Sequence, residues 1–276
     1  MKRLMHLLKQ NPLVLAAAFV LVFWIFMAFF GPSFMSHGYS TMDMDNQMVE
    51  PGVEGHFLGT DALGRDLLSR IIYGSRSILS IALMTSLLSS IAGIIIGFTA
   101  GYFGGALDST FLKTMDILMA IPPLLLAMVV LALLGESTIL SLTLIVSIAY
   151  TPATARVARG ALLASVGSEY VDAARIRGES HFYIMFVEIL PNTLGPIIVE
   201  ITARFAYSIM MIASLGFLGV GLQPPTPDWG MMVIENKTII KAAPWAVIYP
   251  SLAIASLVVA ISLFSDFLGK VLNNDE

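Results

Sequence analysis

The chain has 276 residues, of which 57% are apolar and 12% are charged, and its formal net charge is −4. Soluble domains carry about 25% charged residues, so this composition excludes a water-soluble protein and predicts an integral membrane protein. The negative net charge provides no basic field for nucleic acid, and the lack of cysteine excludes disulfides and thiolate metal sites.

Six apolar segments are long enough to cross a bilayer, since about 20 helical residues span the hydrocarbon core. Backbone amides in lipid must be paired within their own segment, so we expect an all-α membrane protein with six transmembrane helices. The first span begins soon after Met1, but its uncharged run exceeds a signal-peptide core and lacks a cleavage site, so we interpret it as retained. The predicted spans are residues 13–30, 78–99, 111–134, 139–157, 194–218 and 246–268.

The orientation is predicted from lysine and arginine in the loops, because cytoplasmic loops carry the excess of positive charge. With the N-terminus inside, nine such residues are inside and five outside, which favours cytoplasmic positions for both termini. The inner residues are Lys2, Arg3, Lys9, Lys113, Arg156, Arg159, Arg175, Arg177 and Lys270, and the outer residues are Arg65, Arg70, Arg76, Lys237 and Lys241.

Two features within the spans predict helix packing and bending. Glycines recur at positions 93, 97, 101 and 105, and on a helix they form a smooth stripe that another helix can approach closely. Pro122-Pro123 lies inside the third predicted span and is expected to kink it, because proline removes backbone hydrogen bonds.

The inner segment 168–178 predicts a short helix outside the membrane. Ser168 is the predicted N-cap, and Gly178 is suited to a left-handed helix end. Acidic residues fall in the first turn and basic residues in the last, as the helix dipole favours. They are Glu169 and Asp172 in the first turn, and Arg175 and Arg177 in the last. By itself such a helix is either a solvated connector or a docking surface.

The continuation of this segment favours docking. Asp172-Ala173-Ala174 is followed at fixed spacing by Gly178 and then by Leu190-Pro191. The pattern resembles the signature loop of ABC-importer permeases, Glu-Ala-Ala, three residues, Gly, nine residues, Ile-x-Leu-Pro. Asp172 replaces the glutamate and keeps its carboxylate, whereas Glu188 takes the isoleucine position.

Further blocks resemble the C-type subunit of the dipeptide, oligopeptide and nickel permease branch. Ile212 stands where an acidic residue often occurs, so a role tied to that carboxylate does not carry over. The matching blocks lie at 56–61, 63–66, 69–70, 73–74, 76–77, 101–105 with Asp108, Asp116 with 120–127, Arg156 with Arg159, 213–215, 217–219 and 223–230.

The resemblance implies an ABC importer type I transmembrane domain at residues 77–276, preceded by an N-terminal part, 1–76, with the first span and an outer loop. It implies a bacterial or archaeal cytoplasmic membrane, two ABC ATPase subunits, a homologous B-type permease and an extracytoplasmic solute-binding protein. The chain has no Gly-x-x-x-x-Gly-Lys-[Ser/Thr] loop, so we expect a non-catalytic subunit without a cofactor and ATP on its partners. The ATPase-coupling residues implied are Glu169, Tyr170, Asp172, Ala173, Ala174, Arg175, Gly178 and Pro191.

Ionisable residues at membrane depth have two interpretations, a neutralised structural pair or part of a polar solute path. Glu200 and Arg204 are four residues apart on one predicted helix and are expected to pair. Asp116 lies near a predicted cytoplasmic end. An ion-coupled secondary transporter remains the alternative function, although that class often shows inverted repeats, which are not visible here. A non-transporting scaffold is a third possibility, and the sequence does not identify a solute among peptides, nickel chelates, opines and glutathione-like compounds.

The outer loop 31–76 is expected to contact a binding protein, to plug the pore or to connect two spans, and we favour a structural role. Its charged residues are expected to form local salt bridges, each worth about 0–1 kcal/mol if exposed. These residues are Asp61, Arg65, Asp66 and Arg70. The histidines at positions 6, 37, 56 and 181 show no metal-ligand spacing, so no metal site is expected.

Overall fold

The computed structural model describes residues 11–53 and 55–273, and over these residues it is helical without an extended strand. Lys2, Arg3 and Lys9, which entered the orientation count, lie outside the described residues. The helices are α1 (Pro12–Phe30), α2 (Leu67–Phe103), α3 (Gly105–Ala120), α4 (Pro123–Leu134), α5 (Ile139–Ser165), α6 (Glu169–Ile176), α7 (contiguous pieces His181–Tyr183, a π-helical Ile184–Ile189 and Leu190–Asn192), α8 (Leu194–Phe217), α9 (Trp229–Asn236) and α10 (Trp245–Asn273).

Five helices are long and apolar enough to cross a membrane, namely α1, α2, α5, α8 and α10, and α3 with α4 makes a sixth if that bent pair is one span. The largest difference from the sequence prediction is the start of α2, at Leu67 and not at residue 78. Polar residues such as Ser69 and Ser75 in this first part are buried against protein, so the helix extends beyond its apolar stretch. The proposed division between residues 76 and 77 therefore falls inside α2.

Pro122-Pro123 breaks the third predicted span instead of only kinking it. Pro122 has an extended ψ of 127°, as expected for a residue that precedes proline. Pro123 begins α4, where the missing N–H costs nothing because first-turn donors have no partner in the helix. The axes of α3 and α4 differ by 80°.

The glycine stripe of α2 packs against α5. A Cβ atom at Gly97 would lie 2.2 Å from the carbonyl oxygen of Ala155, and one at Gly93 would lie 2.8 Å from Cβ of Thr154. Gly101 likewise faces Leu162. Gly105 has a φ of +62° and begins α3, so it does not belong to the packed stripe.

Two apolar cores lie at different heights along α2, whose 37 residues span about 55 Å. The larger core joins α1, α2, α4, α5, α8, α9 and α10 near the start of α2 and includes Trp229. The smaller core surrounds Phe98 near the end of α2 and includes residues of α5, α6, α7 and α8. We name the end of the molecule at the start of α2 the loop end, because residues 35–66 and 218–244 lie there. The opposite end is named the α6 end.

The glycine contact predicts different outcomes for the same substitution at two helical glycines. Gly97→Ala is expected to destabilise the protein by about 1–3 kcal/mol, because the new methyl group meets the α5 backbone. Gly160→Ala is the control, because its Cβ would meet no heavy atom within 4 Å. Thermal unfolding in detergent measures both, and equal melting temperatures for the two variants would contradict the packing described.

Candidate functional site

Helix α6 is closed at its C-terminal end by Gly178 and not capped at its start by a side chain. Gly178 has a φ of +79°, the left-handed conformation predicted for it, and its N–H donates to the carbonyl of Arg175 at 3.0 Å. Ser168 is the N-cap residue, as predicted, with an extended backbone (φ −79°, ψ 150°), but its side chain makes no capping hydrogen bond. The backbone carbonyl of Ser168 instead accepts from the N–H of Val171 at 2.9 Å.

One face of α6 is buried in the smaller core. Val171 and Ala174 are each 0% exposed and pack with Phe98, Ile184 and other members of this core. Burying this face joins α6 to α2, α5, α7 and α8 through apolar contacts. Ala174, predicted to contact a partner, therefore faces the protein's own interior.

The opposite face of α6 is exposed and mixes charged and apolar side chains. Glu169, Asp172, Ala173 and Ile176 are all exposed and follow the three-, four- and seven-residue spacing of one helix face. Ile176 is 88% exposed, although it is a large aliphatic residue. Ile176 is not among the site residues predicted from the sequence, although its spacing from Asp172 places it on the same helix face.

Polar contacts connect the end of α6 to the end of α2. Arg175 pairs with Asp172 at 2.9 Å and its guanidinium carbon lies 6.0 Å from the centre of the Tyr102 ring. The hydroxyl of Tyr102 is 3.1 Å from Nδ1 of His181, at the start of α7. Tyr170, also on α6, packs against the smaller core. Any displacement of α6 therefore acts on α2 and α7.

Glu188, the departure from the family pattern, has a partner within the same loop. Nη2 of Arg177 donates to Oε1 of Glu188 at 2.6 Å, which ties the segment after α6 to α7. The backbone carbonyl of Glu188 also accepts from the side-chain amide of Asn192 at 2.7 Å. Pro191 is exposed beside it and makes no contact that distinguishes coupling from a structural role.

The two basic residues near the end of α5 both pair with α3. Arg159 makes two hydrogen bonds of 2.6 Å to the carboxylate of Asp108. Arg156 pairs with Asp116, and both of these side chains are exposed. Asp116 thus anchors α3 to α5, and this contact supports its structural interpretation.

Glu200 and Arg204 pair on α8 as predicted. Nε of Arg204 lies 2.5 Å from Oε1 of Glu200, and both side chains are mostly buried. The guanidinium carbon also lies 5.4 Å and 5.2 Å from the ring centres of Tyr150 and Tyr207. The hydroxyl of Thr154 on α5 is 3.4 Å from the same glutamate oxygen. This neutralised group joins α5 to α8.

The charges of the outer loop form local salt bridges, as predicted, but these are buried and not exposed. The carboxylate of Asp61 accepts from Arg65 at 2.7 Å and from Arg70 at 2.5 Å, and Glu235 of α9 accepts from the same arginines at 2.7 Å and 3.0 Å. Asp61 is 0% exposed. Asp66 instead caps α2, accepting from the N–H of Ser69 at 2.7 Å. The loop is thus fixed to α9.

Two tryptophans make further contacts at this end, one between helices and one to the loop. The indole N–H of Trp229, at the start of α9, donates to the carbonyl of Ile71 at 2.9 Å. The indole N–H of Trp245, at the start of α10, donates to the carbonyl of Thr60 at 3.2 Å. The loop therefore packs on the helices at the loop end and does more than connect two spans.

Asp228 is a buried carboxylate next to this cluster. It caps α9 by accepting from the N–H of Met231 at 3.0 Å, and its other oxygen is 3.3 Å from the N–H of Leu222. Burial, only partly offset by these backbone N–H groups, raises the pKa of Asp228 to about 6. The charged form is therefore disfavoured in the folded protein.

One group of side chains was not anticipated. Contrary to the expectation of no metal-ligand cluster, His37, His56 and Asp66 place one ligand atom each within 4.8 Å of one another. These residues are 10 or more positions apart in the sequence, so their spacing does not indicate that they meet in the fold.

The fold and these contacts define a polytopic helical membrane protein with a short docked helix outside its long apolar helices. Residues 93–275 match the family model described as "Binding-protein-dependent transport system inner membrane component", and residues 1–51 match "N-terminal TM domain of oligopeptide transport permease C". The chain belongs to the family of binding-protein-dependent transport system inner membrane components. Ile212, at the position discussed above, is buried in the larger core.

Curated relatives cover nearly the whole chain. The dipeptide transport system permease protein DppC of Alkalihalophilus pseudofirmus is 34% identical over 96% of this chain and 87% of its own length. The di/tripeptide permease protein DppC of Pseudomonas aeruginosa is 39% identical over 90% and 84%. The glutathione permease protein GsiD of Pectobacterium atrosepticum is 36% identical over 96% and 88%.

A solved structure shares the fold. A chain of the MetNI methionine ABC transporter in an inward-facing conformation superposes with a TM-score of 0.58 and 16% identity, covering 74% of this chain and 96% of that one. At this identity the similarity shows the fold alone.

The buried cluster predicts a large stability loss on removal of its central acid. Asp61→Ala is expected to destabilise the protein by about 3–5 kcal/mol, because Glu235 alone is then left to balance the two buried arginines Arg65 and Arg70. Asp172→Ala breaks an exposed pair and is expected to cost about 0–1 kcal/mol. Denaturant or thermal unfolding in detergent compares the two, and similar losses would show that the cluster is not buried as described.

Asp228 predicts a pH dependence of stability with a definite sign. Its folded-state pKa of about 6 lies above the ordinary aspartate value of 3.8, so the folded protein holds the proton more tightly than the unfolded chain. Stability is therefore gained as the pH falls through 6 and is lost as it rises. Relative to Asp228→Asn, the wild-type melting temperature should increase between pH 7 and about pH 4. A constant difference across this range would contradict the assignment.

Proposed function

We propose that the chain is the C-type permease subunit of an ATP-driven importer and that α6 is the helix through which partner ATPases move it. The observation that carries the proposal is the two-sided character of α6, with Val171 and Ala174 buried in the protein and Ile176 88% exposed on the opposite face. A connector helix needs no exposed aliphatic residue, whereas exposed apolar groups rimmed by charges are typical of docking surfaces.

The charges beside Ile176 provide specificity for such a contact. Glu169 and Asp172 are exposed on the docking face, and Arg175 is held next to it by its pair with Asp172. Rim charges of this kind steer association and fix orientation more than they add affinity. Gly178 then ends the helix, so that the docked surface is a short rod of eight residues.

The proposed mechanism is mechanical coupling. ATP draws two ATPase subunits together, and each carries a docked α6 of one permease subunit with it. Because α6 shares its core with α2, α5, α7 and α8, its displacement alters the packing of long helices and switches the pore between inward-open and outward-open states. The coupling requires that both states differ in contacts at α6 and along the pore.

The same proposal assigns sides and partners. We infer six spans, counting α3 with α4 as one, and place both termini and α6 in the cytoplasm and the loop end outside, in agreement with the distribution of lysine and arginine. The relatives named for dipeptide and glutathione transport support a peptide or related small solute. A homologous permease, two ATPase subunits and a solute-binding protein complete the importer, and ATP binds to the partners.

Ile176→Glu tests the docking surface. A buried carboxylate at the contact is costly. When the importer is purified from membranes, the amount of ATPase subunit that copurifies with the variant is therefore expected to fall at least tenfold. Solute-stimulated ATP hydrolysis and uptake into proteoliposomes should fall in parallel. The melting temperature of the permease chain alone should be unchanged, because Ile176 contacts solvent.

Phe57→Glu is the matched control, since Phe57 is 72% exposed at the loop end and receives the same kind of substitution. The same amount of ATPase subunit is expected to copurify with this variant as with the wild type. Equal retention in both variants would refute docking through α6. Solute uptake by the purified chain alone, driven by an ion gradient without ATP, would instead support the ion-coupled carrier.

A further inference from the structure

Three potential metal ligands converge at the loop end. Nδ1 of His56 lies 2.9 Å from Oδ1 of Asp66, and the rings of His37 and His56 have centres 4.5 Å apart. One ligand atom from each of the three residues lies within 4.8 Å of the other two. His56 and Asp66 are 5% and 4% exposed, and His37 is half-buried. The group is therefore sheltered, with His37 as its side nearest to solvent.

We propose that His37, His56 and Asp66 bind a divalent transition-metal ion, for which Zn²⁺ is the representative probe. Two imidazoles and one carboxylate are a ligand set that suits zinc and its neighbours and is poor for Mg²⁺ or Ca²⁺, which require oxygen ligands. Three protein ligands leave a fourth tetrahedral position, and the exposed side of His37 lets water occupy it.

The ligands are positioned by groups that do not contact the ion. Ser69 has two such contacts, as its N–H donates to Oδ2 of Asp66 at 2.7 Å and its hydroxyl donates to the carbonyl of His37 at 2.8 Å. The backbone of His56 is held in a turn, because its N–H donates to the carbonyl of Val53 at 2.9 Å. Such outer contacts orient ligands in known metal sites.

Binding requires a small closing movement. Ligand atoms around tetrahedral zinc lie about 3.3 Å apart, given bonds of about 2.0–2.1 Å. The separation of up to 4.8 Å here would shorten mainly by rotation of the half-buried His37. The ion would then tie the segment before residue 56 to the first turn of α2, next to the Asp61 cluster. It would act as a structural clamp on the loop, whatever solute the protein carries and on whichever side of the membrane the loop lies.

The test uses the full chain purified in detergent, stripped with EDTA and titrated with Zn²⁺. We expect one Zn²⁺ per chain by elemental analysis, a rise in melting temperature that EDTA reverses, and at least tenfold weaker binding in His37→Ala. His181→Ala is the matched control, because His181 lies at the α6 end and is expected to bind Zn²⁺ as the wild type does.

A second measurement distinguishes the loss of a metal ligand from a loss of folding. Co²⁺ in place of Zn²⁺ should give the visible absorption of a tetrahedral site with nitrogen ligands in the wild type and in His181→Ala, and not in His37→Ala. His37 is half-buried and outside both apolar cores, so its removal should leave the metal-free melting temperature close to that of the wild type. Equal Zn²⁺ affinity in His37→Ala and His181→Ala, or less than one ion per wild-type chain at saturation, would overturn the proposal.

Discussion

The burial of Val171 and Ala174 in the smaller core is the contact on which the proposed mechanism depends. It makes α6 a part of the helical bundle, although the helix has only eight residues and would be unstable alone. Because the two residues are three apart, one face is committed to the protein and the other stays free. A force applied to the free face is therefore transmitted to α2, α5, α7 and α8, whereas a solvated connector would absorb it.

The two ends of the molecule differ in their interactions, with exposed ion pairs at one end and a buried ion network at the other. At the α6 end, exposed pairs such as Asp172 with Arg175 lie beside the exposed Ile176, and exposed pairs of this kind are weak. At the loop end, Asp61 and Glu235 hold two buried arginines, and the indole N–H of Trp245 fixes the loop to α10. A buried ion network of this type is costly to break and favours one arrangement. The loop end is thus held in one arrangement by buried charges.

The sequence predicted the parts of this arrangement that are local. The helix 169–176, the left-handed Gly178 and the Glu200–Arg204 pair depend on neighbours within one or two turns, and all three are found. Contacts between distant segments were beyond reach, because Arg65 and Glu235 are 170 residues apart and no spacing links them. The convergence of His37 with His56 failed to be predicted for the same reason. Hydropathy also misplaced the start of α2, since its polar first turns are buried by protein and not by lipid.

The central claim is that the free face of α6 contacts an ATPase in the cytoplasm. The chain has no cysteine, so single-cysteine variants report one position each. In membranes that contain the whole importer, Ile176→Cys should form a cross-link to the ATPase subunit and react with an impermeant maleimide only in inside-out vesicles. Phe57→Cys should do neither in that orientation. Labelling of position 176 from the outside, or no cross-link to an ATPase during turnover, would contradict the account.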